Sequence, residues 1–322
     1  MSVLGDQARN SGENGGQLPL NAAVRYAFSG HQTFPFRYAW LPKGVRAIRR
    51  DSQVFTRPDA LVLLGVGKNM VASIRFWCEA LGLIENNGPN STLTPLGALL
   101  FGSSRGGFSS GADPYLEDPG TLWLLHWQLT ATPYPASTWH LAFTCWSQNL
   151  FTRDELARWL LRSAQESGAS RSSASSIRRD VEVFLRTYVP ARDNRRRPLE
   201  DSFDCPLAEL GLIRPAGNGR FAFQRGPRPS LPGAVLAAAL AAFWNHTAPG
   251  QKTLTLERAL FDPGSPGAAF KLGDQDMVEA LERLPASCGL RYDETAGLRL
   301  LIRTAARTPL SLLKSYYKKA QA

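Results

Sequence analysis

No two of the four cysteines, Cys78, Cys145, Cys205 and Cys288, form a CxxC pair, so no zinc ribbon or disulfide framework can be read from the chain. They read as buried thiols. Histidine is equally sparse. His126 and His140 stand with Cys145 among Trp123, Trp127, Trp139 and Trp146 in helix-like sequence, where core packing is a better reading than a ligand cluster. Long apolar runs are missing too. Leu231 to Trp244 is Ala-rich, is interrupted by Pro232 and Gly233, and falls short of the ~20 residues that span a bilayer. No membrane role is expected. The N-terminus shows no charged leader followed by an apolar core, so the expected location is cytoplasmic.

Acidic charge is in deficit. Lys and Arg number 37 against 27 Asp and Glu, a formal net charge of +10, and such an excess attracts nucleic acid or an anionic membrane; double-stranded DNA is the expected partner. Nuclease signatures are also absent: there is no HNH, GIY-YIG or PD-(D/E)xK pattern. Asp180-Val181-Glu182 alternates acids, but residues two apart on a helix do not face each other and are not expected to share an ion. GVGKN suggests a phosphate loop. However, GxxxxGK[ST] needs Gly and Ser or Thr where Val62 and Asn69 stand, so no nucleotide is expected as cofactor.

What is present concentrates in Phe28 to Gly44, FSGHQTFPFRYAWLPKG. His31, Gln32, Arg37 and Lys43 lie among Phe28, Phe34, Phe36, Tyr38 and Trp40. Aromatic faces can stack on bases while guanidinium and ammonium groups hold phosphate. An aromatic wedge that merely closes a domain is the alternative. If phosphodiester hydrolysis occurs here, His31 is the candidate general base or acid, because imidazole titrates near neutral pH. Gln32 would be a polar partner, and Arg37 and Lys43 would stabilise developing negative charge. Arg46, Arg49 and Arg50 follow with no acid before Asp51.

The expected fold class is α+β, mainly α with small β wings, in tandem winged helix-turn-helix-like units. Arg57-Pro58-Asp59 opens a short helix that Gly65-Val66-Gly67 breaks. A second helix over Lys68 to Leu81 places Met70, Val71, Ile74, Trp77, Cys78 and Leu81 on one face. ALGLIE, a turn over Asn86 to Asn90, and LTPLG complete a pattern that resembles a winged helix. Such a fold would bring Lys68, Asn69, Ser73 and Arg75 to DNA. Thr152 and Glu155 stand in capping-box register at the start of another helix. An amphipathic helix over Ile177 to Tyr188 leaves Arg178 and Arg179 outside, and Arg195, Arg196 and Arg197 form a basic loop. LAELGLI with a hairpin around Asn218-Gly219 echoes ALGLIE and its wing. Composition divides the chain into a polar, disordered tail over 1–25, the motif with its winged helix over 26–104, a middle helical unit over 105–229 and a C-terminal unit with a hairpin over 230–322.

FSGHQTF and GVGKNMV together resemble a bacterial family found in phage-defence gene clusters, which includes the DNA-nicking component of the single-strand DNA phosphorothioation system. The resemblance implies strand nicking that allows sulfur incorporation. It also implies three partners: a cysteine desulfurase, an ATPase and an ATP-pyrophosphatase-like subunit. Mg²⁺ or Mn²⁺ is the ion such an activity would use, but no ligand set is readable. A non-catalytic winged-helix DNA-binding subunit or transcriptional regulator stays open as the alternative, and so does a homodimer.

Overall fold

The computed structural model describes residues 25–102, 110–168, 172–190 and 205–320. The expected tail, most of the Arg105 to Gly111 linker and the Arg195, Arg196 and Arg197 run lie outside these residues. The fold is α+β, and among the described residues the helices are joined by three small antiparallel sheets.

The first region comprises α1 (Trp40–Arg50), α2 (Ala60–Leu64), α3 (Lys68–Ala80), β1 (Ile84–Asn87), β2 (Asn90–Leu93) and α4 (Pro95–Phe101). Helix α1 buries Trp40, Leu41, Val45 and Ile48, and it crosses α3 closely at Gly44. A Cβ there would stand 2.7 Å from Cys78 Sγ and 2.9 Å from Ile74 Cγ2, so only glycine permits this approach. Strands β1 and β2 pair from Ile84 with Leu93 to Asn87 with Asn90. Gly88 at φ 63° supplies the left-handed residue that such a two-residue hairpin needs. Thr94 then caps α4, its side chain accepting from the Gly97 N–H at 3.0 Å.

The middle region contains α5 (Pro119–Ala131), α6 (Ser137–His140) running into a π-helical turn over Leu141–Cys145, β3 (Leu150–Thr152), α7 (Arg153–Glu166), α8 (Ala174–Tyr188), β4 (Ile213–Pro215) and β5 (Arg220–Phe223). The expected capping box is present: Thr152 and Glu155 satisfy each other's backbone N–H at the start of α7. The hairpin around Asn218 is also present, with β3 added to its free edge. The expected echo of ALGLIE is shorter than its counterpart. Pro206–Leu210, which leads directly into this hairpin, is a single 3₁₀ turn, opened by a proline and stopped by Gly211 at φ 60°.

The last region comprises α9 (Gly233–Thr247), β6 (Thr253–Thr255), α10 (Leu256–Phe261), α11 (Pro266–Phe270), α12 (Asp274–Glu282), β7 (Leu290–Thr295), β8 (Leu298–Arg303) and α13 (Pro309–Ala320). Helix α13 packs on α9. Tyr316 donates to Asp118 Oδ1 at 2.8 Å, and the Tyr317 hydroxyl meets Thr121 Oγ1 at 2.8 Å. The terminal tyrosines therefore anchor α13. One continuous apolar core runs from Phe36 to Tyr317 through all three regions. Among the described residues no helix is long and apolar enough to cross a membrane.

Among the ionisable groups deep in this core are His126, His140 and Lys271. His126 contacts the Tyr188 hydroxyl and the Ala269 carbonyl, each at 2.8 Å, and His140 contacts the Thr130 carbonyl at 2.7 Å. Burial pushes the two imidazoles down to about 3 and about 4, so both are neutral at pH 7. Lys271 lies between the rings of Phe143 and Phe223, its Nζ 5.3 and 4.3 Å from their centroids, and donates to the Phe143 carbonyl. Burial pushes its amine from the ordinary 10.5 down to about 7. Between those two values the unfolded chain holds a proton that the folded one has released. Stability attributable to this site therefore rises with pH across that window and is lowest below about 7. Lys271→Met is expected to remove a slope of up to about 1.4 kcal/mol per pH unit from that range. Urea unfolding at pH 7, 8 and 9 measures it, and an unchanged slope in the variant would refute the assignment.

Candidate nucleic-acid interface

The FSGHQTF segment is a loop tied down at almost every residue. Ser29, Gln32 and Thr33 have φ of 71°, 50° and 68°, and none is glycine. Left-handed backbone in such residues costs on the order of 1–3 kcal/mol each and persists only where the surroundings impose it. Here the surroundings centre on Asp180, in the middle of α8. Its Oδ1 accepts from the Ser29 N–H at 2.6 Å and from His31 Nε2 at 2.8 Å, while Oδ2 accepts from Thr138 Oγ1 at 2.8 Å.

The Thr33 N–H donates to His31 Nδ1 at 3.1 Å, so a single hydrogen on Nε2 satisfies both ring nitrogens. Ser73 Oγ donates to the His31 carbonyl at 2.9 Å, Trp77 Nε1 to the Phe34 carbonyl at 2.9 Å, and Arg186 to the Thr33 carbonyl. Ala27 is held by the Ser137 hydroxyl at 2.7 Å. The loop thereby joins α3, α6 and α8.

This geometry places the sequence-derived residues differently from expectation. His31 is 1% exposed and enclosed by Phe76, Trp77 and Trp139. Both ring nitrogens are engaged inside the protein, by Asp180 and by the Thr33 N–H, and tie the loop in place. Ser73 is fully buried, and its bond to the His31 carbonyl removes it from any DNA-facing surface. The aromatic platform is mostly an interior wedge. Phe36 and Trp40 are buried and Phe28 and Phe34 half-buried, while Tyr38 is the exposed ring of that group. Gln32 stands exposed at the loop tip, and the Arg37 guanidinium lies 5.4 Å from the centre of the Trp40 ring. Arg75 is half-buried and braces the hairpin, bonding Asn86 Oδ1 and the Gly88 carbonyl at 3.3 Å each. Half-buried Arg49 contacts the Phe101 carbonyl. Arg178 and Arg179 are exposed on α8, on either side of the helix line that carries Asp180 inward.

Three of the expected residues do come together. Lys43, Arg46 and Arg50 line one cavity of about 700 Å³ whose wall also includes Tyr38, Tyr115 and Arg57. Spacings of three and four along α1 put the three cations on one face, opposite Leu41, Val45 and Ile48. Lys43 and Arg50 have no carboxylate partner among the described residues. Arg57 is clamped by Asp51 at 3.1 Å and by Asp59 at 2.8 Å. Hydrogen bonds from Arg57 hold the Asp59 carboxyl below the usual range. Beyond the cavity the start of α3 presents Lys68 and Asn69 to solvent.

The family described as "Protein of unknown function (DUF4007)" matches residues 28–317. The chain belongs to that family. A crystal structure described as magnesium ion-bound SspB is 32% identical to it with a TM-score of 0.81, covering 93% of this chain and 90% of that one. A second SspB crystal structure is 33% identical with the same score and coverage. No curated protein matches the chain. The DUF4007 match begins at Phe28, the first residue of the strained loop.

Sequence reasoning missed Asp180 as the organising group. The signal was present: with Ile177, Val181 and Phe184 on the buried face, position 180 falls on that same face, and a carboxylate there requires donors. Asp180→Ala would leave the Ser29, His31 and Thr138 donors unpaired inside the core. It is expected to destabilise the fold by about 3–5 kcal/mol, whereas Glu182→Ala, at an exposed position of the same helix, should stay within about 0.5 kcal/mol. Equilibrium denaturation of the two variants provides the comparison, and equal losses would contradict the role given to Asp180.

Proposed function

We propose that the protein binds duplex DNA as a component of a phosphorothioation-based anti-phage defence system, where it nicks one strand to allow sulfur incorporation. The observation that carries DNA binding is the row of Lys43, Arg46 and Arg50 along one cavity wall, beside the exposed start of α3. Cations on a fixed helix face, with few acids near them, hold a phosphate backbone. In this reading α2, α3 and the β1–β2 hairpin act as a winged helix. Lys68 and Asn69 approach base edges and the hairpin lies near phosphate. Arg178 and Arg179, exposed on α8, are further candidates for phosphate contact. Strand nicking, and the cysteine desulfurase, ATPase and ATP-pyrophosphatase-like partners, rest on the resemblance of FSGHQTF and GVGKNMV to the phage-defence family.

Magnesium, present in the SspB crystal structure, needs oxygen ligands. Among the described residues no three His, Cys, Asp or Glu side chains gather to hold a metal ion. Asp51, which lines the cavity, and Asp59 are both engaged by Arg57. This donor set does not fit an ion held by the protein alone. A second reading, a DNA-binding subunit without its own cleavage step, is favoured by the burial of His31.

Lys43→Ala/Arg46→Ala/Arg50→Ala should weaken duplex binding and lower the slope of log K against log salt by about 2–3, near 0.9 for each phosphate contact removed. Fluorescence anisotropy across a salt series reads both. Unchanged affinity and slope in the triple variant would overturn the assignment. Conversion of supercoiled plasmid to open circle in Mg²⁺ or Mn²⁺ separates the two readings, because the subunit without cleavage binds and leaves the plasmid supercoiled.

A further inference from the structure

The cavity beside α1 has features that binding to a continuous duplex would not use. It is concave, about 700 Å³, within the range of small-ligand sites, and a stacked base pair cannot enter such a space. Its floor is apolar, formed by Pro42, Val54 and Leu64. Two tyrosine rings border it: Tyr38, 36% exposed, and Tyr115, 58% exposed. Tyr38 is held in place by its hydroxyl bond to Glu209, across from the middle region. Its phenol is pushed up by burial and by that carboxylate, so it stays a neutral ring.

Apolar floor, exposed rings and a cationic wall are together the chemistry of one nucleotide: a base face against tyrosine and aliphatic groups, its phosphate against Lys43 and Arg50. We propose that this cavity receives a single unstacked nucleotide of a DNA strand. The inference rests on the DNA-binding reading above and specifies what the site takes. The supply of charge favours a strand over a free monophosphate. Lys43, Arg46 and Arg50 span two turns of α1, about 10 Å at a rise of 1.5 Å per residue, and only a polynucleotide presents phosphates on both sides of the nucleotide in the cavity. Arg57 contributes differently, since its pairing with Asp51 and Asp59 neutralises it and makes it part of the rigid rim. Extrusion costs unstacking, least where the base has no partner, so the site should prefer a duplex with one unpaired nucleotide.

The test uses the full chain with two duplexes that differ only in whether a 2-aminopurine is paired or unpaired. Affinity is read by anisotropy and base environment by 2-aminopurine fluorescence. The expected result is roughly ten-fold tighter binding of the unpaired duplex, the gain that one stacked base gives, with a fluorescence change on binding. That preference should be lost in Tyr115→Ala and kept in Tyr115→Phe, which retains the ring; thermal melts confirm that both fold. Binding of both duplexes with equal affinity by the wild type would overturn the nucleotide site and leave DNA binding standing. Failure to bind either duplex would overturn both. If free dAMP displaced the fluorescent duplex as effectively as an unlabelled oligonucleotide, the cavity would belong to a free nucleotide and the strand assignment would fall.

Discussion

The arrangement of the molecule depends on one buried carboxylate. Asp180 accepts three hydrogen bonds inside the core, and two of them fix a loop in which three non-glycine residues have positive φ. At about 1–3 kcal/mol per residue, that backbone would relax if its anchors were absent. The anchors lie on separate helices: Asp180 and Arg186 on α8, Ser73 and Trp77 on α3 and Ser137 on α6. Tension at the loop therefore holds α3 against the middle region. A carboxylate buried this way is costly to desolvate. Its net contribution is less to stability than to selecting a single relative placement of those helices.

From that placement follows the position of the cationic row. Helix α1 begins seven residues after Thr33, and its apolar face is pressed against α3 so closely that Gly44 admits no side chain. With one face committed to the core, Lys43, Arg46 and Arg50 can only project on the other. The charge excess of +10 is therefore not diffuse at this point. It is presented by a rigid helix with its rotation fixed, and preorganised donors bind phosphate better than cations on a mobile loop.

Much of this was legible in the sequence, and the errors share a cause. The α3 face, the β1–β2 hairpin, the capping box at Thr152 and the hairpin around Asn218 follow from local rules of periodicity and turn chemistry, and all are present. The α1 cations were legible only as a charge run with no acid before Asp51; the helix that gathers Lys43, Arg46 and Arg50 on one face was not read. His31 and Ser73 were misplaced because their burial is decided by residues about 150 and 40 positions away, and no local pattern carries that. The density of aromatics in Phe28 to Gly44 was equally ambiguous: Phe36 and Tyr38 differ by two positions, yet one is in the core and the other at the surface. Asp180 was the exception, since an acid in register with Ile177 and Phe184 already required a buried partner.

The two halves of the FSGHQTFPFRYAWLPKG stretch thus divide the work. Its first half is structural, with His31 saturated by Asp180 and Thr33. Its second half turns outward at Tyr38 and continues into the cation-bearing face of α1. The phosphate contact proposed above therefore lies not at the imidazole but on the cation-lined surface a few residues later. In the proposed reading the strand meets groups at that surface, and the buried imidazole bears on it through the geometry of α1 and α3. The motif therefore sets where the cationic face of α1 stands, and the strained backbone of its first half is the local cost of fixing α1 there.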